Sequence, residues 1–197
     1  MSNSLLKGKR GIIFGALDPN SIAWKVAVRA HEEGAQFTLT NAPVALRMGA
    51  INQLAEQCNA KVIGADATSN ADLEALFTQS MEALGGKIDF VLHSIGMSPN
   101  VRKNKPYTDL DYDYYHKTID ISAMSLHRVL QSAMKVDAIS EWGSVVALTY
   151  IAAQRVFPDY NDMADAKSML ESIARSYGYH YNKSKKVYYA IFNKVFI

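Results

Sequence analysis

The chain has 197 residues, and its 21 Lys+Arg against 19 Asp+Glu leave a net charge of +2, too balanced for charge-driven nucleic-acid binding. With 49% hydrophobic and 20% charged residues, it is not disordered and has enough apolar material for one sizeable core. The single cysteine, Cys58, excludes an internal disulfide and lacks neighbouring metal ligands, which fits a reducing compartment and a buried helix position. No window approaches the roughly 18 apolar residues of a membrane span, so the expectation is a cytoplasmic protein with no metal, nucleic-acid or membrane partner.

Gly11–Phe14 is the first short apolar run, too short for a helix and read as a buried strand. A loop from Gly15 leads to a helix over Ser21–Glu33, with Ile22, Val26 and Ala30 on one face and Gly34 as its stop. Gln36–Thr40 is the second strand, Val44–Gln57 the second helix and Lys61–Ala65 the third strand. Ser69 with Asp72 three residues on has capping-box spacing and opens a third helix that ends at Gly85-Gly86. Asp89–His93 is the fourth strand, Tyr114–Lys135 a long fourth helix, Gly143–Leu148 the fifth strand and Asn161–Tyr179 the fifth helix. Strands alternating with helices of crossover length predict an α/β fold: a Rossmann-type doubly wound parallel sheet in a single domain over residues 1–197. In such sheets ligands bind beyond the carboxyl ends of the strands, so the loops after Phe14, Thr40, Ala65, His93 and Leu148 are where function is sought.

Gly15 permits a tight turn with close backbone approach, and Ser21 is placed to cap the first helix while its amides face an anion. The alternative is an ordinary loop of turn formers. Thr40 ends the second strand where an acidic residue often holds the adenosine ribose of NAD, and no Arg or Lys stands at positions 40–43 to meet a 2′-phosphate. NADH is therefore favoured over NADPH, and Arg47 reads as a solvated helix residue. Asp66, with Ala67, follows the third strand and is suited either to an adenine amino group or to a plain Asx-turn. His93-Ser94-Ile95-Gly96 closes the fourth strand; Gly96 would let the chain pass close to a ribose, and His93 reads as a packed residue. After the fifth strand come Tyr150, Tyr160 and Lys167, the last two seven residues apart and so on one side of a helix. An ammonium near a phenol favours phenolate character and can grip ribose hydroxyls.

Together these residues resemble the short-chain dehydrogenase/reductase superfamily and, within it, the bacterial NADH-type enoyl-acyl-carrier-protein reductases of fatty-acid elongation. The resemblance rests on Gly15-x5-Ser21-Ile22-Ala23, His93-Ser94-Ile95-Gly96, Tyr150 in place of the superfamily's usual serine, and Tyr160-x2-Met163-x3-Lys167, spread over roughly residues 7–183. It implies that Tyr160 donates to the thioester oxygen of a trans-2-enoyl substrate, that Lys167 holds the nicotinamide ribose, and that Tyr150 lines the site and orients the substrate. It further implies cofactor contacts at Gly15, Ser21, Ile22, Thr40, Asp66, Ala67, Ser94, Ile95 and Gly96, and a backbone contact from Ser98 to the acyl substrate. Thr40 departs from the glutamine of one branch of the family. The implied partners are enoyl-acyl carrier protein and further copies of the chain, up to a homotetramer.

The family continues after the fifth helix into a sixth strand, a nicotinamide loop, helices over the acyl pocket and a seventh strand. Here the chain diverges over residues 188–197, which implies a truncated or frame-shifted member lacking the last strand and the substrate lid. The expectation is that Val187–Ile191 still pairs as the sixth strand, with aromatic residues standing in for the lid. Two other readings stay open: a catalytically silent nucleotide-binding or oligomerising fragment, and a conventional short-chain alcohol dehydrogenase. Tyr150 and the six-residue gap between Tyr160 and Lys167 tell against the latter. The basic clusters Arg102-Lys103-Asn104-Lys105 and Lys183–Lys186 read as solvated surface or as steering for an acidic carrier.

Overall fold

The first strand, β1 (Arg10–Phe14), is buried on both faces: Ile12 and Phe14 join one apolar cluster and Ile13 joins the other. The computed structural model describes residues 4–48, 50–185 and 188–194. Around β1 run β2 (Gln36–Thr40), β3 (Lys61–Val62), β4 (Ile88–His93), β5 (Ile139–Tyr150) and β6 (Tyr188–Lys194), in the spatial order β3-β2-β1-β4-β5-β6 with every pairing parallel. The order reverses between β1 and β4, the place where such a sheet opens a crevice at its carboxyl edge.

On one face lie α1 (Ile22–Glu32), α2 (Pro43–Met48) and α3 (Ile51–Cys58). There Trp24, Leu39, Ile51, Leu54 and Cys58 are buried, and burial pushes the Cys58 thiol upward. On the other face lie α4 (Asn70–Leu84), α6 (Tyr112–Ile119), α7 (Ser125–Lys135) and α8 (Asn161–Lys185), with Leu73, Leu76, Phe77, Leu126, Leu130 and Leu170 in the core. A four-residue α5 (Pro99–Arg102) follows β4. No described helix is long and apolar enough to cross a membrane, and the described residues hold no group of three or more His, Cys, Asp or Glu placed to bind a metal ion.

Several boundaries differ from expectation for identifiable reasons. The second helix is two, because the amide of Ala50 turns away from the helical ladder to donate to the carbonyl of Leu17 at 3.1 Å. The third strand is shorter than predicted, although the amides of Ile63 and Ala65 still reach the carbonyls of Leu39 and Asn41. The fourth helix starts earlier, where the Asp111 carboxylate accepts the amide of Tyr114 at 3.1 Å, and it is interrupted by a π-helical turn over Asp120–Met124. β5 begins four residues before its predicted start, and its register to β4 slips between Ile139 and Ser144, where Trp142 has φ +63°. The sixth strand pairs from Ser144–Tyr188 to Tyr150–Lys194. Val187 and the side chains expected to replace a lid lie outside the described residues.

Other expectations hold at the backbone. The Ser69 hydroxyl accepts the Asp72 amide at 3.2 Å, and Gly34 takes φ +88° to end the first helix, its amide bonding to the carbonyl of His31 at 2.9 Å. We expect Phe77→Ala to lower the unfolding free energy by about 3–5 kcal/mol, because it empties a fully buried volume. Val44→Ala, at an exposed position, should change it by less than about 0.5 kcal/mol; urea unfolding of both variants checks the contrast.

Candidate active site

At the carboxyl edge, β1 and β4 are adjacent and their following loops touch. Gly15 has φ +85°, and a Cβ there would lie 1.9 Å from the carbonyl oxygen of Ser94. Both facts require glycine, so the turn after β1 is shaped by its contact with the turn after β4. Ser21 occupies the position before α1, but its hydroxyl does not cap the helix. It donates to the carbonyl of Asp18 at 2.7 Å and accepts the amide of Leu17 at 3.3 Å, correcting the predicted cap. Ile22 opens α1. The Thr40 side chain at the tip of β2 is fully buried, and its hydroxyl has no hydrogen-bond partner among the described residues. Asp66 forms the Asx-turn: one carboxylate oxygen accepts both the amide and the hydroxyl of Thr68 at 2.8 Å, while the neighbouring Ala67 is half-buried. Arg47 is solvent-exposed.

The turn after β4 is held from beneath. The Ser122 hydroxyl accepts the amide of Met97 at 2.9 Å and donates to the carbonyl of the same residue at 3.0 Å. Ser125 donates its only proton to the carbonyl of Ile121 at 2.6 Å, so at 2.9 Å from His93 Nε2 it must accept. That assigns His93 the Nε2–H tautomer and leaves Nδ1 a buried acceptor with no partner among the described residues. Burial, and then the Lys167 charge, lower the His93 pKa to about 3, so the ring is neutral and packed. Ser122 and Ser125 belong to the π-helical turn and the start of α7, and the sequence reading missed both. The available signal was small polar residues at Thr118, Ser122 and Ser125, a helical spacing beside the apolar stripe.

Lys167, on the second turn of α8, is 6% exposed and donates from Nζ to the carbonyls of Leu148 at 2.9 Å and Ile95 at 3.3 Å. It thereby joins the ends of β4 and β5. Gly96 passes over it, with its Cβ direction 3.6 Å from Nζ. Burial lowers the Lys167 pKa to about 8. Tyr160 stands just before α8 and packs against Tyr150 with ring centroids 4.6 Å apart and the planes tilted by 50°; Phe157 meets Tyr150 edge-on at 5.1 Å. The phenolate character expected at Tyr160 is not found: burial, and then Tyr150, push its pKa up to about 12. The ammonium is directed at the two carbonyls instead, so Tyr160 is a neutral O–H donor. Ser98, buried, ends this loop with its side chain already committed, donating to Asp162 at 2.7 Å and accepting the amide of Val101 at 3.0 Å. A cleft of about 570 Å³ opens alongside, with Tyr107, Ala152, Val156 and Phe157 among its walls.

The sequence profile of the enoyl-(acyl carrier protein) reductase family matches residues 15–192. The chain is 37% identical over 175 residues to enoyl-(acyl-carrier-protein) reductase (NADH) 1 of Rhizobium meliloti (strain 1021), covering 88% of this chain and 63% of that protein. The crystal structure of a FabI–NADH complex from Alistipes finegoldii superposes with a TM-score of 0.92 at 65% identity, over 93% of this chain and 65% of that one. An enoyl-(acyl-carrier-protein) reductase (NADH) structure from Aquifex aeolicus VF5 gives a TM-score of 0.87 at 28% identity, over 98% and 75%. The chain thus spans less than two-thirds of the Rhizobium and Alistipes proteins.

The neutral His93 ring sets a pH dependence of stability. The unfolded histidine binds a proton below its ordinary 6.5 and the folded one only near 3, so stability is lost as pH falls through that interval. The expected slope from this group approaches about 1.4 kcal/mol per pH unit. In His93→Gln that increment should be absent, as denaturant unfolding of the two proteins between those limits will show.

Proposed function

The chain belongs to the enoyl-(acyl carrier protein) reductase family, and from that premise we propose that it carries out the NADH-dependent reduction of a trans-2-enoyl thioester on acyl carrier protein. The observation that carries this reading is the assembly at one sheet edge of a packed Tyr150–Tyr160 pair and a buried ammonium bonded to the Ile95 and Leu148 carbonyls. The dinucleotide fits the residues present: the Gly15–Ser94 contact shapes a turn that no side chain fills, and the orphaned Thr40 hydroxyl is a buried group awaiting a partner. Ser21, Ile22, Asp66, Ala67, Ile95 and Gly96 complete its proposed contacts. When bound, it supplies a hydride to the β-carbon of the substrate.

The protein's own work is then electrostatic. Tyr160 stays protonated at neutral pH because its pKa is about 12, so it donates its O–H to the thioester oxygen as enolate charge develops there. Tyr150 backs that ring and restricts its swing, and Lys167 holds the nicotinamide ribose and adds positive potential. The backbone of Ser98 and the apolar wall at Val156 and Phe157 offer contacts for the acyl group. The thioester is delivered by acyl carrier protein in the cytoplasm. We infer self-assembly through α6, α7 and α8, where Tyr112, Met134 and Tyr179 are exposed apolar side chains.

Loss of NADH absorbance with crotonyl-CoA tests the reading. We expect turnover in the unchanged chain and a fall of about 100-fold or more in kcat for Tyr160→Phe. Binding of NADH without its oxidation would support the silent nucleotide-binding reading instead, and reduction of simple ketones alone the alcohol dehydrogenase. A second expectation concerns Lys167. The ammonium is the binding form, so the Kd for NADH should rise above pH about 8, approaching tenfold per pH unit, and fluorescence titration of Lys167→Met should show no such dependence.

A further inference from the structure

The first turn of α8 carries polar side chains that the chemistry above leaves unused. Asp162 is fully buried, accepting Ser98 Oγ at 2.7 Å on one oxygen, and on the other Asn100 Nδ2 at 2.9 Å and Thr118 Oγ1 at 2.8 Å, whose single proton is shared with the Tyr114 carbonyl, also at 2.8 Å. Asn161 donates from Nδ2 to the carbonyl of Lys105 at 2.5 Å, and Asp165 accepts the hydroxyls of Tyr107 at 3.2 Å and Tyr115 at 3.1 Å. Every one of these partners lies between residues 98 and 118, the stretch from the end of the β4 loop to α6.

A buried carboxylate is costly unless all its acceptor capacity is used, and here three neutral donors and the start of a helix use it. Such a group is suited to fixing register between the segments that supply its partners. One of those segments is the loop ending at Ser98, held on its other side by the two bonds between Met97 and Ser122. The other is the start of α8, where the Met163 amide donates to the Tyr160 carbonyl at 3.1 Å and Tyr160 precedes Asp162 by two residues. We propose that Asp162 is a positioning residue: by tying the first turn of α8 to Ser98, Asn100 and Thr118, it fixes the Tyr160 hydroxyl relative to the loop that faces cofactor and acyl group. This role rests on the proposed reductase activity for its consequence, but not for its geometry. A donor displaced by a fraction of an ångström from the reacting oxygen loses rate while cofactor binding at Gly15 and Thr40 is untouched.

The test uses the full chain labelled with 3-fluorotyrosine, the Tyr160 resonance being assigned by Tyr160→Phe. In Asp162→Asn an amide N–H must face one of the existing donors. We expect the Tyr160 fluorine resonance to shift or broaden while that of exposed Tyr112 stays in place. With crotonyl-CoA, kcat should fall about 10- to 100-fold while the KM for NADH changes by less than about twofold. An unmoved Tyr160 resonance, with kcat reduced only in proportion to the folded fraction, would mean a purely structural role and overturn the proposal. Should Asp162→Asn fail to fold, Thr118→Val removes a single donor and is read in the same way. If the unchanged chain shows no turnover, the reductase reading fails, and the fluorine resonance still decides whether Asp162 positions Tyr160.

Discussion

A buried ammonium surrounded by carbonyl oxygens is the constraint around which the carboxyl edge of the sheet is organised. Lys167 reaches across from α8 to Leu148 near the end of β5 and to Ile95 in the loop after β4, and among the described residues it donates there to dipoles, the two carbonyls. Lowering its pKa from 10.5 to about 8 corresponds to a cost of roughly 3 kcal/mol for holding the charged form. That penalty is fully present below pH about 8 and is relieved as pH rises toward 10.5, because there the unfolded lysine binds the proton that the folded one has lost. The fold carries this cost at the point where β4 and β5 deliver their loops. The same charge helps keep His93 neutral, and the neutral ring retains the Nε2–H that donates to Ser125 and anchors the base of the β4 loop.

The other loop of the site depends on this one. Gly15 is shaped by the carbonyl of Ser94, so the turn after β1 takes its position from the turn after β4, which Ser122 holds from the π-helical turn and Ser125 from the start of α7. A π-turn widens the helix locally and changes which side chains face a given direction. It brings Ser122 under Met97 while Ser125, three residues on, reaches His93. The order of dependence runs from an irregular helix turn, through a strand-end loop, to the glycine turn where an anion-binding loop forms in folds of this kind.

Much of this was legible from residue pattern. The parallel sheet, the helix ending at Gly34, the cap at Ser69 and the clustering of Gly15, Gly96, Tyr160 and Lys167 at one edge follow from apolar period, turn chemistry and strand order. What was not legible depends on contacts distant in sequence. Ser21 is a local exception: it looks like a helix cap, but Asp18 and Leu17, three and four residues back, compete for its hydroxyl. The break before α3 needs the carbonyl of Leu17. The phenol of Tyr160 reads as activated when Lys167 is known only to share its helix, yet in the folded chain the ammonium is turned to carbonyls and desolvation governs the phenol instead. Spacing along a helix fixes which residues share a side, but not which of several polar neighbours a charged group selects.

That selection has a consequence for the charges of α8. Asp162 and Lys167 are five residues apart, about 140° around the helix axis, so they leave on different sides and each is buried in a separate set of neutral partners. Burial lowers the pKa of Lys167, and among the described residues no carboxylate compensates it. A direct ion pair would cancel the positive potential that an enolate oxygen needs nearby, and in a low-dielectric site the cancellation would be large. Solvating each charge with dipoles is the more expensive arrangement, because neutral donors and acceptors compensate burial less completely than an opposite charge does. The expense is consistent with a site that keeps a cation without a carboxylate partner among the described residues on one side of the helix, where the proposed reaction would develop negative charge, and uses the anion on the other side to hold the helix in place.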